Sequence, residues 1–199
     1  MAPVTVPVEK LREFEDFRAS YDWLAVHHQT DDEVWIRIFK KASGRATITP
    51  IEAIDAVLCW GWIDAIKKSW DEVSFVQRYC PRRPKSVWSQ VNRDNVARLT
   101  DMGLMTPHGL VHVEAAKKDG RWDAAYATTQ DAPTDLLAAI AANPNAQSTY
   151  DQLTAQNRFA LIFRTNSLKT EAARACKIAG FVDMLARGET IYPQKMEPK

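Results

Sequence analysis

"GWIDAIKKSWDEVSFVQRYC", residues 61–80, decides how the chain folds. Two β-prone runs, "GWIDAIKK" and "SFVQRYC", flank the short polar stretch "SWDEV" and read as antiparallel strands joined by a tight loop. Side chains alternate across a strand, so Trp62, Asp64 and Ile66 share one face and a carboxylate lies in aromatic and aliphatic company. A three-residue loop, Trp70 to Glu72, sets Arg78 opposite Asp64. A slip of one residue turns Arg78 to the other face.

Working back from the hairpin, "TPIEAIDAVLCW" places Thr49 as an N-cap and Pro50 at the first helical position, with Ile51, Ile54, Val57 and Leu58 as the buried side. "EVWIRIFKK" alternates as a strand, Val34, Ile36 and Ile38 facing one way and Trp35, Arg37 and Phe39 the other, and Gly44 marks the turn beyond it. "EFEDFRASYDWLAVHH" carries Phe14, Phe17, Tyr21 and Leu24 at helical spacing, and "TVPVEKL" reads as a short edge strand. Beyond Pro84 no further strand is indicated. A helix marked by Trp88, Val91, Leu99 and Met102 is followed by helices over 108–118, 134–142, 146–164 and 168–187. The expected class is therefore α+β: an N-terminal α/β lobe with a small, mainly antiparallel sheet, residues 1–104, then a helical C-terminal lobe, residues 105–199, in one compact body.

Composition narrows the function classes. The chain has 199 residues, 46% hydrophobic and 26% charged, with a formal net charge of +1. Net charge gives no general attraction for nucleic acid, so any affinity for anions must come from local clustering. No stretch reaches the roughly 18 uninterrupted apolar residues of a membrane-spanning helix. The start, "MAPVTVPVEKLREFEDF", lacks the basic and apolar segments of a secretory signal, and the protein is expected in the cytoplasm. Cys59, Cys80 and Cys176 are far apart and form no C-x-x-C pair.

Local clustering is present. From Arg78 to Arg98 there are six basic residues (Arg78, Arg82, Arg83, Lys85, Arg93, Arg98) against one acid, Asp94. Ser86 stands where an N-cap belongs, so unpaired N–H groups of a first helical turn would point at the same place as Arg82, Arg83 and Lys85. Ser89 and Asn92 follow on nearly the same line of the helix, while Trp62 and Trp88 supply an apolar wall. Two prolines, Pro81 and Pro84, stiffen the segment. The cluster reads either as an anion receptor or as solvated charge with Ser86 as a simple cap. For Asp64, an ion pair stapling the hairpin to Arg78 and a functional acid or base are both open readings.

Several stretches, "LCWGWIDA", "QRYCPRRPKSVWSQVN", "GLVHVEAAKKDGRW" and a late "ARGE", resemble the YdeI/OmpD-associated, or bacteriocin-protection, family. The resemblance rests on Gly61, Trp62, Ile63 and Asp64, then on Pro81, Arg82, Ser86, Trp88, Ser89 and Asn92. It implies a role in resistance to antimicrobial peptides and envelope stress, and it carries no general reaction or cofactor. The basic run usual near the start of that family's last helix is reduced here to Lys169, Arg174 and Lys177.

Other signatures are absent. There is no glycine-rich nucleotide loop and no Gly-x-Ser-x-Gly or Cys-His pattern, and neighbouring His27 and His28 splay too far apart on a helix to share a metal. No cofactor or metal is indicated. The sequence leaves three classes: a binding protein for a small carboxylate- or phosphate-bearing molecule at the lobe junction, a cofactor-independent enzyme with Asp64 as acid or base and Arg82, Arg83 and Lys85 as anion clamp, and a nucleic-acid binder.

Overall fold

The computed structural model describes residues 5–127 and 131–195, and among them the α+β expectation holds: strands come first and helices dominate the rest. The chain divides into two compact units, Met1–Tyr126 and Ala127–Lys199. The boundary read from the sequence, 104/105, falls inside the first of them.

The first unit is built on β1 (Leu11–Glu13), β2 (Val34–Phe39), β3 (Trp62–Ser69) and β4 (Ser74–Pro81). The sheet order is β1-β2-β4-β3, with β1 parallel to β2 and the other pairs antiparallel. Its first edge strand begins only at Leu11; Val8–Lys10 of the expected strand "TVPVEKL" form a 3-10 turn, because Pro7 lacks an N–H for a ladder. Val34, Ile36 and Ile38 pack with Trp62 and Tyr79 against Leu24 of α1 (Phe17–His27) and Ala53, Ala56 and Val57 of α2 (Pro50–Cys59). As an inner strand, β2 also buries Trp35 and Phe39 on its other face.

Helix α2 starts as its sequence requires. The Thr49 hydroxyl accepts from the Glu52 N–H at 3.2 Å, and the Glu52 carboxylate accepts from the Thr49 N–H at 2.8 Å. Ile51, expected inside, is 67% exposed because the small Ala53 and Ala56 form the seam instead. Asp55 faces inward and accepts from Arg98 of α3 (Gln90–Asp101) at 2.7 Å. Helix α4 (Pro107–Lys118) closes against the end of α2: the Thr106 hydroxyl donates to the Cys59 carbonyl at 2.6 Å, and a Cβ on Gly109 would lie 2.4 Å from that same oxygen. Only glycine permits this approach, which brings α4 beside the start of β3.

The second unit consists, among the described residues, of α5 (Thr134–Ala141), α6 (Pro144–Asp151), α7 (Ala155–Asn166) and α8 (Glu171–Ala186). The single helix expected over 146–164 is two. Leu153 tucks inward and Thr154 caps a new start, its hydroxyl accepting from the Asn157 N–H. Leu136, Ile140, Leu161, Phe181 and Leu185 form the core, and Asp135 takes two bonds from Arg174, at 2.6 and 2.9 Å. Among the described residues no helix is long and apolar enough to cross a membrane.

Candidate functional site

The site begins with the register of the hairpin. Ser69 pairs with Phe75, but a bulge between Asp64 and Lys67 shifts the ladder so that Asp64 pairs with Tyr79. Arg78 is therefore on the opposite face, where it lies across from Trp35 and donates to Glu33. The expected Asp64–Arg78 pairing does not form, and the bulge also breaks the Trp62–Asp64–Ile66 alternation, leaving Ile66 39% exposed.

Beyond β4 the chain turns inward. The Arg82 N–H donates to the Gly61 carbonyl at 2.9 Å, and the Arg82 side chain, only 3% exposed, lies with its guanidinium carbon 3.8 Å from the centre of the Trp88 ring. Nη1 donates to the Val87 carbonyl at 3.1 Å, whereas Nε and Nη2 are buried and have no hydrogen-bond partner. Those two nitrogens form one edge of the guanidinium plane, the edge that engages an oxyanion through two parallel hydrogen bonds. Among the described residues no carboxylate lies within ion-pair distance of this cation. Burial pushes the guanidinium pKa down to about 10; Asp64 and Tyr126 oppose that fall and Arg121 adds to it.

Around Arg82 several ionisable groups are biased toward their neutral forms. Burial raises the Asp64 carboxyl above the usual carboxylate range, against the pull of a backbone hydrogen bond and of Arg82. Tyr79, fully buried with an unpartnered hydroxyl, is raised by burial and then by Asp64. Tyr126 is raised for the same two reasons, and His112 is lowered by burial, Arg82 and Arg121.

Ser86 is not the helix cap. It sits in the turn before α3, its carbonyl accepting from Arg121 Nη1 at 2.9 Å, and Ser89 performs the capping, its hydroxyl accepting from the Asn92 N–H at 3.1 Å. The helix therefore begins one turn later than expected; its buried side is Val96 and Leu99, and Val91 and Met102, expected on that side, are exposed. Arg83 and Lys85 are exposed, which leaves Arg82 as the one member of the basic run that is withdrawn from water. Trp62 is buried and donates from Nε1 to the His28 carbonyl at 3.1 Å.

Sequence reasoning missed Tyr79, His112, Arg121 and Tyr126. Residues 119–126 fold back on the α3 start: the Tyr126 N–H donates to the Trp88 carbonyl and the Gln90 N–H to the Tyr126 carbonyl, at 3.1 and 2.8 Å. Spacing along the chain carries no trace of that contact. The nearest signal was the "DGRW" stretch, residues 119–122, whose arginine now anchors the turn at Ser86. His27 stacks on Trp23, and His28 donates from Nδ1 to the Leu24 carbonyl at 2.9 Å; among the described residues no group of three or more His, Cys, Asp or Glu is placed to hold a metal ion.

Two family models match the chain. One, described as Domain of unknown function (DUF8412), covers residues 12–112, and the other, described as Bacteriocin-protection, YdeI or OmpD-Associated, covers residues 130–188. The resemblance read from the motifs is thus met by the second match, whereas Gly61–Asp64 and Pro81–Asn92 lie within the first. No curated protein and no solved structure matches.

Proposed function

We propose, for a chain that belongs to the family described as Domain of unknown function (DUF8412), that its first unit is a receptor for a small carboxylate- or phosphate-bearing molecule, acting in the cytoplasm in the bacteriocin protection named in the description of the model that matches residues 130–188. One observation carries the reading: Arg82 is buried, has no described carboxylate within ion-pair distance, and keeps its Nε–Nη2 edge without a partner. A buried cation in that state is unfavourable unless something compensates it. A bound oxyanion would supply both the missing charge and the two missing acceptors.

The receptor is narrower than the basic run suggested. Arg82 is its centre, Trp88 its stacking face, and Arg121 a second positive charge behind the 83–87 turn. Arg83 and Lys85, both exposed, steer anions toward the turn and take no part in the clamp. Because Nε and Nη2 are closed off from solvent, an anion reaches them only when the groups that cover them move aside. The test is a thermal-shift screen of carboxylates and phosphates on the wild type and on Arg82→Met. Stabilisation that is lost in the variant supports the receptor, and equal stabilisation of both proteins refutes it.

A second reading, a cofactor-independent enzyme, is favoured by the raised pKa of Asp64 on the same sheet face as Tyr79. There Asp64 would deliver or remove a proton on a substrate held by Arg82. Turnover lost in Asp64→Asn with binding retained supports it; binding without turnover in the wild type excludes it.

A further inference from the structure

We infer that the anion taken by Arg82 is the carboxylate of a small aromatic acid, whose ring lodges in a crevice of about 250 Å³ beside the Gly61 turn. This rests on the receptor reading above and names its ligand class. The crevice lies among Trp60, Trp62, His28, His108, His112 and Val111, and no Lys, Arg, Asp or Glu lines it. Its aromatic walls offer a ring more contact than they offer a charged group. The volume lies just below the range usual for small-molecule pockets and suits one ring better than a long chain.

The aromatic walls are already in place. His28 lies 4.2 Å from His108 and 4.6 Å from Trp60 between ring centres, and Trp60 and His108 are within 24° of parallel. Two of these side chains are held by bonds that a ligand need not provide, Trp62 to the His28 carbonyl and His28 Nδ1 to the Leu24 carbonyl. Little ordering of these walls is therefore required on binding. Gly61, at φ +77°, forms a floor in which a Cβ would lie 2.6 Å from His112 Cδ2.

The crevice also adjoins the cation. Pro81 lines it and Arg82 follows directly; the Gly61 carbonyl accepts from the Arg82 N–H; and His112, in the crevice wall, is close enough to feel the charges of Arg82 and Arg121. A ring seated against Trp60 and His108 thus finds the positive charge of Arg82 on the side where its carboxylate would lie. A planar carboxylate suits the flat Nε–Nη2 edge and Trp88 below it.

The test is an NMR titration of the tryptophan indole N–H signals in the full chain with benzoate, acetate, benzamide and inorganic phosphate. Benzoate is expected to bind about tenfold or more tightly than acetate, from burial of the ring, and more tightly than uncharged benzamide. Val111→Trp, at a position 66% exposed, should plug the crevice and reduce benzoate to the level of acetate, with acetate unchanged. Val111→Phe gives a smaller plug should the tryptophan disturb α4. Acetate or phosphate binding as well as benzoate overturns the aromatic inference and leaves the anion receptor standing. Benzamide equal to benzoate separates the crevice from Arg82 and also overturns it. If none of the anions binds, the receptor reading falls, and the inference with it.

Discussion

Replacing Arg82 with Met keeps an unbranched stem over Trp88 and removes the charge. The gap between a guanidinium held at about 10 and ordinary arginine means that its charged form destabilises the fold by about 3 kcal/mol. For a base whose pKa is lowered by folding, that penalty is fully present below the folded value and disappears only above it, so it is undiminished at pH 7. Against this relief, Arg82→Met loses a charge-assisted hydrogen bond to the Val87 carbonyl, about 1.5–3 kcal/mol, and a cation–π contact of about 1–2 kcal/mol. The gains and losses nearly cancel, and the expected change is within about 2 kcal/mol of zero. Breaking a paired buried ion instead costs about 3–5 kcal/mol. Urea unfolding followed by tryptophan fluorescence reads the first unit alone, because all seven tryptophans precede residue 127. A loss of more than about 3 kcal/mol would mean that Arg82 is structurally paired and would refute the reasoning.

Four further outcomes are expected. Asp64→Asn should be more stable than the wild type at pH 7, because a carboxyl raised by burial destabilises the fold above its folded pKa, and the advantage should fade as pH falls toward 3.8, as followed by melting temperature against pH. His112 is lowered, so the wild type should lose stability as pH falls below 6.5 and His112→Gln should lose less, measured in the same way. Gly109→Ala should cost about 2–3 kcal/mol in urea, since its Cβ meets backbone at 2.4 Å. In Gly44→Ala, where nothing lies within 4 Å and only φ +68° is strained, the cost should be about 1 kcal/mol.

What was legible in the sequence was carried by local chemistry. Thr49 and Pro50 announce the start of α2 because cap and first helical position are neighbours in the chain, and the structure completes the box with Glu52. The hairpin and the alternation of β2 follow from side chains on a pleated strand. The register was not legible. A bulge between Asp64 and Lys67 depends on what both faces must bury, and it separates Asp64 from Arg78. Ser86 and Ser89 are three residues apart and both suit a cap; the choice is made by residues 119–126, which bond to Trp88 and Gln90 and fix where α3 begins. The same fold-back brings Arg121 and Tyr126 to the site. The basic run marked the right segment, but its charge count could not show that Arg82 would be buried and Arg83 and Lys85 exposed.

The central claim concerns two nitrogen atoms, and arginine side-chain NMR observes one of them directly. In protein labelled with ¹⁵N-arginine and assigned through Arg82→Met, the Arg82 Nε–H resonance should move downfield and exchange more slowly with water as benzoate or phosphate is added, with a saturating dose dependence, while the Arg83 resonance stays in place. An Arg82 Nε–H signal that does not respond to any carboxylate or phosphate, or that moves no more than that of exposed Arg83, would contradict the account and leave Arg82 as a structural cation alone.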